Sequence, residues 1–203
     1  MKLYYKLGAC SLASHIALCE TGATFEIEKV DTDLGRTETG NDYGAINPNG
    51  YVPALQLEDG EVLTEGAAVL QYIASCFPEA GLAPQTTTLE RARLQETLNW
   101  VAAELHKAFS PLFNTQSSDA AKEAARVAVA AKFDRLETQL SDGREWIVGS
   151  RFSVADAYLF TVANWANFTG INLSGWPSLA EYITRVAVRP SVLKAMKSEG
   201  LVQ

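Results

Sequence analysis

The apolar spacing of this chain changes character once, near residue 80, and that change limits the fold more than any other feature. Before it, short alternating runs are mixed with helical spacing; after residue 88 only helical spacing remains. Residues 2–6 alternate like a strand. Leu12, Ile16 and Cys19 recur at helical spacing over residues 11–21, and Gly22 closes that run. Phe25, Ile27 and Lys29 alternate with Glu26 and Glu28, a second strand. Residues 31–50 are rich in Gly, Asp, Thr and Asn and read as loop with room for a short helix. Apolar pairs in 54–57 and 62–63 flank Asp59-Gly60, a hairpin signal, and a helix follows from 65 to about 77. The order βαβ, loop, ββα predicts a mixed four-stranded sheet with helices.

Residues 78–88 turn to Pro, Gly, Thr and Gln among a few others, the composition of a linker. Beyond them Leu94, Leu98, Val101, Leu105, Phe109 and Leu112 recur every three or four residues, the mark of a long amphipathic helix. Further helices are predicted over 120–140, 153–168, 176–188 and 190–199. An α/β domain over residues 1–80 therefore precedes an all-α helical bundle domain over residues 87–203.

Composition narrows the partners. A net charge of −7 over 203 residues lacks the basic footprint that nucleic acid or anionic lipid needs. No apolar run reaches the ~18 to 20 residues of a membrane span. The N-terminus reads as a strand and a helix rather than a signal peptide. Cys10, Cys19 and Cys76 are too few and too scattered for a disulfide framework or a zinc site, which fits a cytoplasmic, reducing setting without metal.

Cys10 lies between the first strand and the first helix. Unpaired N–H groups and the helix dipole at such a start favour an anion, so a lowered thiol pKa is expected there. Cys19 and Cys76 are expected on apolar helix faces, inert. The run Cys-Ser-Leu-Ala has no resolving cysteine. Cys10 therefore suits stabilising another thiolate, a mixed disulfide with a small thiol, or simply closing a turn. If Val52–Pro53 is cis, the Val52 backbone turns outward and an extended peptide can pair with it; a trans proline would merely start an edge strand. Gly66 permits close approach at a helix start, whose N–H groups suit a carboxylate, while Glu65 suits an ammonium group. Together they fit a γ-glutamyl moiety, or else ordinary capping. Asn99, Ala103 and His106 share one helical stripe with Lys107 adjacent, facing either a cleft or solvent. His15, between Leu12 and Ile16, reads as a packing histidine. Ser153 and Asp156 read as a capping box, a folding signal. Trp165 with Phe109, Leu112 and Phe113 can line an apolar pocket.

In this order, the segments KLYYKLGACSLASHIAL, NPNGYVPAL, LTEGAAVLQYIA, LNWVAAELHKAFSPLF and FSVADAYLFTVANWA resemble the cytosolic glutathione S-transferases of the bacterial beta class. The resemblance implies a glutathione transferase fold, with a thioredoxin-like first domain, and a homodimer. It implies conjugation of glutathione, as co-substrate, to small hydrophobic electrophiles in detoxification. Cys10 and His106 would act at the sulfur. Val52, Pro53, Glu65, Gly66 and Lys107 would bind glutathione, with Asn99 and Glu104 touching it across the dimer interface. Tyr5 would join Phe109, Leu112, Phe113 and Trp165 in the electrophile pocket. Two positions depart from the family pattern: Gly35 replaces a lysine, with Arg36 adjacent, and Ala103 replaces a hydroxyl residue. The rival readings are a thiol oxidoreductase or peroxidase working through a Cys10 mixed disulfide, and a non-catalytic protein that binds hydrophobic ligands.

Overall fold

The computed structural model describes residues 1–203. Strand β1 (Lys2–Tyr5) runs parallel to β2 (Glu26–Asp31), joined through helix α1 (Ser11–Thr21). On its other side β1 pairs antiparallel with β4 (Ala54–Gln56), Leu3 opposite Leu55, and β4 turns back into β5 (Val62–Leu63). A further strand, β3 (Arg36–Thr37), pairs with β2. The sheet thus has five strands in the order β3-β2-β1-β4-β5, one more than expected. Two residues are too short a run for alternation to reveal. The loop also holds α2 (Tyr43–Ile46), and α3 (Gly66–Cys76) follows the hairpin.

Helix α1 is buried continuously from Ser11 to Leu18, because it packs on β1, on α3 and on the last helix, α10 (Pro190–Ser198). A helix so enclosed shows little amphipathic contrast. Its end is set by Gly22, at φ 71°, whose N–H bonds the Cys19 carbonyl. His15 is buried, and its Nδ1 lies 2.9 Å from Glu199 Oε1. The other oxygen of Glu199 accepts from the Gly8 N–H at 3.1 Å, tying the chain's end to the loop before Cys10.

The second compact unit is helical. It comprises α4 (Leu89–Trp100), a π-helical turn (Val101–Leu105), α5 (His106–Phe113), α6 (Asp119–Leu140), α7 (Val154–Ala163), α8 (Ala166–Thr169) and α9 (Pro177–Ala187). Leu94, Leu98, Val101, Leu105 and Phe109 are fully buried, as their spacing predicts. The helix expected over 153–168 is interrupted between α7 and α8. The compact units run Met1–Ala83 with Arg189–Gln203, and Pro84–Val188. The last helix therefore differs from its expected place: it packs with the sheet unit, on α1. Periodicity tells which face of a helix is apolar, not which neighbour covers it.

Candidate functional site

In the first unit several of the expected site residues come together. Cys10 is the N-cap of α1, and its thiol donates to the Val52 carbonyl at 3.2 Å. The Val52–Pro53 bond is cis. Tyr4, Val30, Tyr43, Val52 and Ala54 form an apolar floor, with Ala9 packed on it, which sets the loop before α1 beside the loop before β4. A β-carbon on Gly66 would stand 3.8 Å from the Pro53 ring, so the start of α3 abuts that proline. Glu65 caps α3, and its carbonyl accepts from Ala68 and Val69, both at 2.9 Å. The N–H groups of Gly66 and Ala67 are left over at the helix start. The Glu65 carboxylate is exposed and accepts from the Tyr51 hydroxyl.

Burial pushes the Cys10 thiol up to about 11, and this corrects the expectation of a lowered pKa. The Cys10 and Ser11 amides do pull it down, as the helix-start argument requires, but lost hydration outweighs them. Cys19 is likewise pushed up to about 11 by burial, against the pull of Lys194. Cys76 is exposed rather than set on an apolar face. Tyr5, expected in the electrophile pocket, is buried in β1 with its ring 6.1 Å from that of His15.

In the second unit the π-helical turn carries His106 out of the α-helical register: its N–H bonds the Val101 carbonyl, five residues back. The straight stripe through Asn99, Ala103 and His106 is therefore interrupted. Asn99, Ala103, Glu104 and Lys107 are exposed while His106 is half-buried. Such one-turn insertions recur at functional sites. Glu104 is already paired, with Lys132 of α6. His106 Nδ1 shares a 3.0 Å hydrogen bond with the Tyr158 hydroxyl, and its ring stands edge-on to Trp165 at 4.9 Å. Trp165 also packs against Phe109 at 5.6 Å and Phe113 at 5.1 Å. Phe109 is fully buried, so it belongs to the core beneath that cluster rather than to a surface lining. Leu112 is half-buried and Phe113 is exposed.

Burial pushes His106 down to about 4, with the charge of Lys107 acting the same way. The ring is neutral at pH 7. Between pH 6.5 and 4 the unfolded chain binds a proton here that the folded chain refuses, so stability falls as pH drops through that window. The full effect is roughly 3 kcal/mol. His106→Gln should flatten the acid limb of stability measured by denaturant unfolding from pH 6.5 to 4. An unchanged slope would show that His106 is not the titrating group.

Two family models match the chain: "Glutathione S-transferase, N-terminal domain" over residues 8–76 and "Glutathione S-transferase, C-terminal domain" over residues 101–190. The chain is 46% identical over 201 residues to "Glutathione S-transferase GstA" of Escherichia coli O157:H7, covering 99% of this chain and 100% of that one. The chain belongs to the glutathione S-transferase family. Among solved structures, a bacterial beta class glutathione S-transferase of Sphingomonas chungbukensis superposes with a TM-score of 0.97, at 52% identity and full coverage of both chains. A sphingomonad glutathione S-transferase complexed with glutathione superposes with a TM-score of 0.96, at 48% identity and full coverage of both.

Of the two departures that the resemblance implies, Ala103 is exposed in the π-helical turn. Gly35 sits at φ 64°, where a lysine would be strained. Arg36 is exposed and donates to the Gly40 carbonyl at 3.1 Å, within its own turn. Sequence reasoning passed over Tyr51 and Tyr158. Tyr51 stands beside Val52 in the chain, and its hydrogen bond to Glu65 emerges only from the fold. Tyr158 is 52 residues from His106, and no spacing rule connects them.

Proposed function

We propose that the first unit binds glutathione and that the protein catalyses attack of the glutathione sulfur on small hydrophobic electrophiles. The observation that carries this reading is one continuous arrangement: the Cys10 thiol on the Val52 carbonyl, the cis Val52–Pro53 bond, and the Glu65-capped start of α3 against Pro53. The cysteinyl backbone of glutathione pairs with Val52 as an added strand. The γ-glutamyl end offers an ammonium group to Glu65 and a carboxylate to the Gly66 and Ala67 amides. Its sulfur then meets the start of α1. The sphingomonad relative, complexed with glutathione, supports the same ligand here.

A glutathione thiol of ordinary pKa, about 8.5, is mostly protonated at pH 7. Conjugation therefore needs hydrogen-bond donors fixed on the thiolate. A protonated Cys10 supplies one, by turning its S–H from the Val52 carbonyl to the ligand sulfur. The thiol proton leaves to water, the C–S bond forms, and the electrophile's leaving group departs with its electron pair. The assignments of His106, Lys107, Asn99 and Glu104 to glutathione, and a homodimer, rest on the family resemblance. Free cysteines and a thiol co-substrate fit a cytoplasmic setting.

The mixed-disulfide reading requires Cys10 itself to attack as a thiolate, and burial opposes that. The test is paired. Calorimetry should detect glutathione binding, and 1-chloro-2,4-dinitrobenzene should be conjugated faster than a mixed glutathione disulfide is reduced. Absence of binding, or turnover confined to the disulfide, overturns the reading.

A further inference from the structure

We infer that Tyr51 is a positioning residue, whose phenol O–H holds the Glu65 carboxylate in the orientation that receives the ligand's ammonium group. This rests on the glutathione-binding reading above. Glu65 is exposed, and its side chain has three rotatable bonds. Left alone, such a side chain samples many rotamers, and ordering it on binding costs affinity. Tyr51 removes that freedom beforehand, since its hydroxyl donates to Oε1 of Glu65. The remaining acceptor positions of the carboxylate stay available to an ammonium group.

Tyr51 is itself anchored at its backbone. Its carbonyl accepts from Tyr43 Oη at 3.0 Å and from Asn47 Nδ2 at 2.6 Å. Both donors belong to fully buried residues. The phenol thus projects from a fixed base, one residue before the Val52 carbonyl that accepts from Cys10. One short segment thereby sets two ends of the proposed ligand: the backbone partner at Val52 and the carboxylate at Glu65. The carboxylate in turn raises the phenol's pKa, so the hydroxyl remains a donor at neutral pH.

The role is specific to the ammonium end, and the test uses that. Affinities of the full chain, Tyr51→Phe, Glu65→Gln and the double variant are measured by calorimetry. The two ligands are glutathione and its deamino analogue, in which the γ-glutamyl unit lacks only the amino group. Tyr51→Phe should weaken glutathione about five- to tenfold and leave the analogue unchanged. In the Glu65→Gln background the same change should have no further effect. In turnover it should raise KM for glutathione while kcat and KM for the electrophile hold. Equal loss for both ligands means Tyr51 merely supports the loop, and overturns the proposal. So does unchanged affinity for glutathione, which leaves the functional reading standing. A wild-type chain that binds no glutathione overturns both.

Discussion

Asp156→Ala should lower the unfolding free energy by about 4 kcal/mol, a large share of the 5 to 15 kcal/mol typical of a folded protein. Asp156 is completely buried, and each of its oxygens does two jobs. Oδ1 accepts from the Ile147 N–H and the Tyr182 hydroxyl, both at 2.8 Å. Oδ2 accepts from the Ser153 N–H at 2.9 Å and the Ser153 hydroxyl at 2.8 Å. The carboxylate thus closes the capping box of α7, holds the loop before it, and ties α7 to α9. Burial pushes this carboxyl above its ordinary pKa, opposed by those hydrogen bonds. Removing it strands four donors from water, each at about 1 to 3 kcal/mol and well short of additive together. Asp156→Asn keeps Oδ1 but sets an NH2 group against the Ser153 N–H, so a loss of about half that size is expected. Denaturant unfolding monitored by tryptophan fluorescence measures both. A loss below about 1 kcal/mol for the alanine variant would show that the network does not hold the helices together.

The capping box within that network was legible because its signal is local: Ser153 and Asp156 are three residues apart at the head of an apolar run, whereas the Tyr182 bond joins residues 26 apart. The Asp59-Gly60 turn, the Gly22 helix end and the buried stripe from Leu94 to Phe109 were legible for the same reason. Where the outcome depended on through-space relations, the residues alone were silent. An α-turn and a π-turn differ by one residue, so the spacing 101, 105, 109 could not reveal that His106 leaves the α-helical register. The helix start at Cys10 was visible, but the burial that overrides it, and the thiol's bond to the distant Val52 carbonyl, come only from the fold. Likewise Glu65 could be named as a partner for an ammonium group, whereas its tether to Tyr51 spans fourteen residues that no periodic rule links.

Glu65→Gly should make the protein more stable and a far poorer binder of glutathione. Glu65 has φ 66° and ψ 108°, a conformation that residues with a β-carbon rarely adopt. Holding it there costs of order 1 to 3 kcal/mol. Glycine adopts positive φ freely and is accepted at a helix N-cap, so the substitution removes the strain at little capping cost. Its greater entropy in the unfolded chain takes back part of that gain, leaving a net increase of about 1 kcal/mol. The Tyr51 tether is lost too, but it lies on an exposed surface and contributes little to stability. Binding changes in the opposite direction. Loss of the carboxylate leaves the ligand's ammonium group without its charged partner, at about 2 to 3 kcal/mol, or roughly 30- to 150-fold in Kd. Glu65→Gln separates the two effects: it keeps the strained backbone and removes the charge, so it should bind weakly with wild-type stability. Thermal unfolding without ligand and calorimetry with glutathione supply both readings for both variants. If Glu65→Gly is no more stable than Glu65→Gln, the backbone there is not strained. If it binds glutathione like the wild type, the ammonium group is held by some other residue.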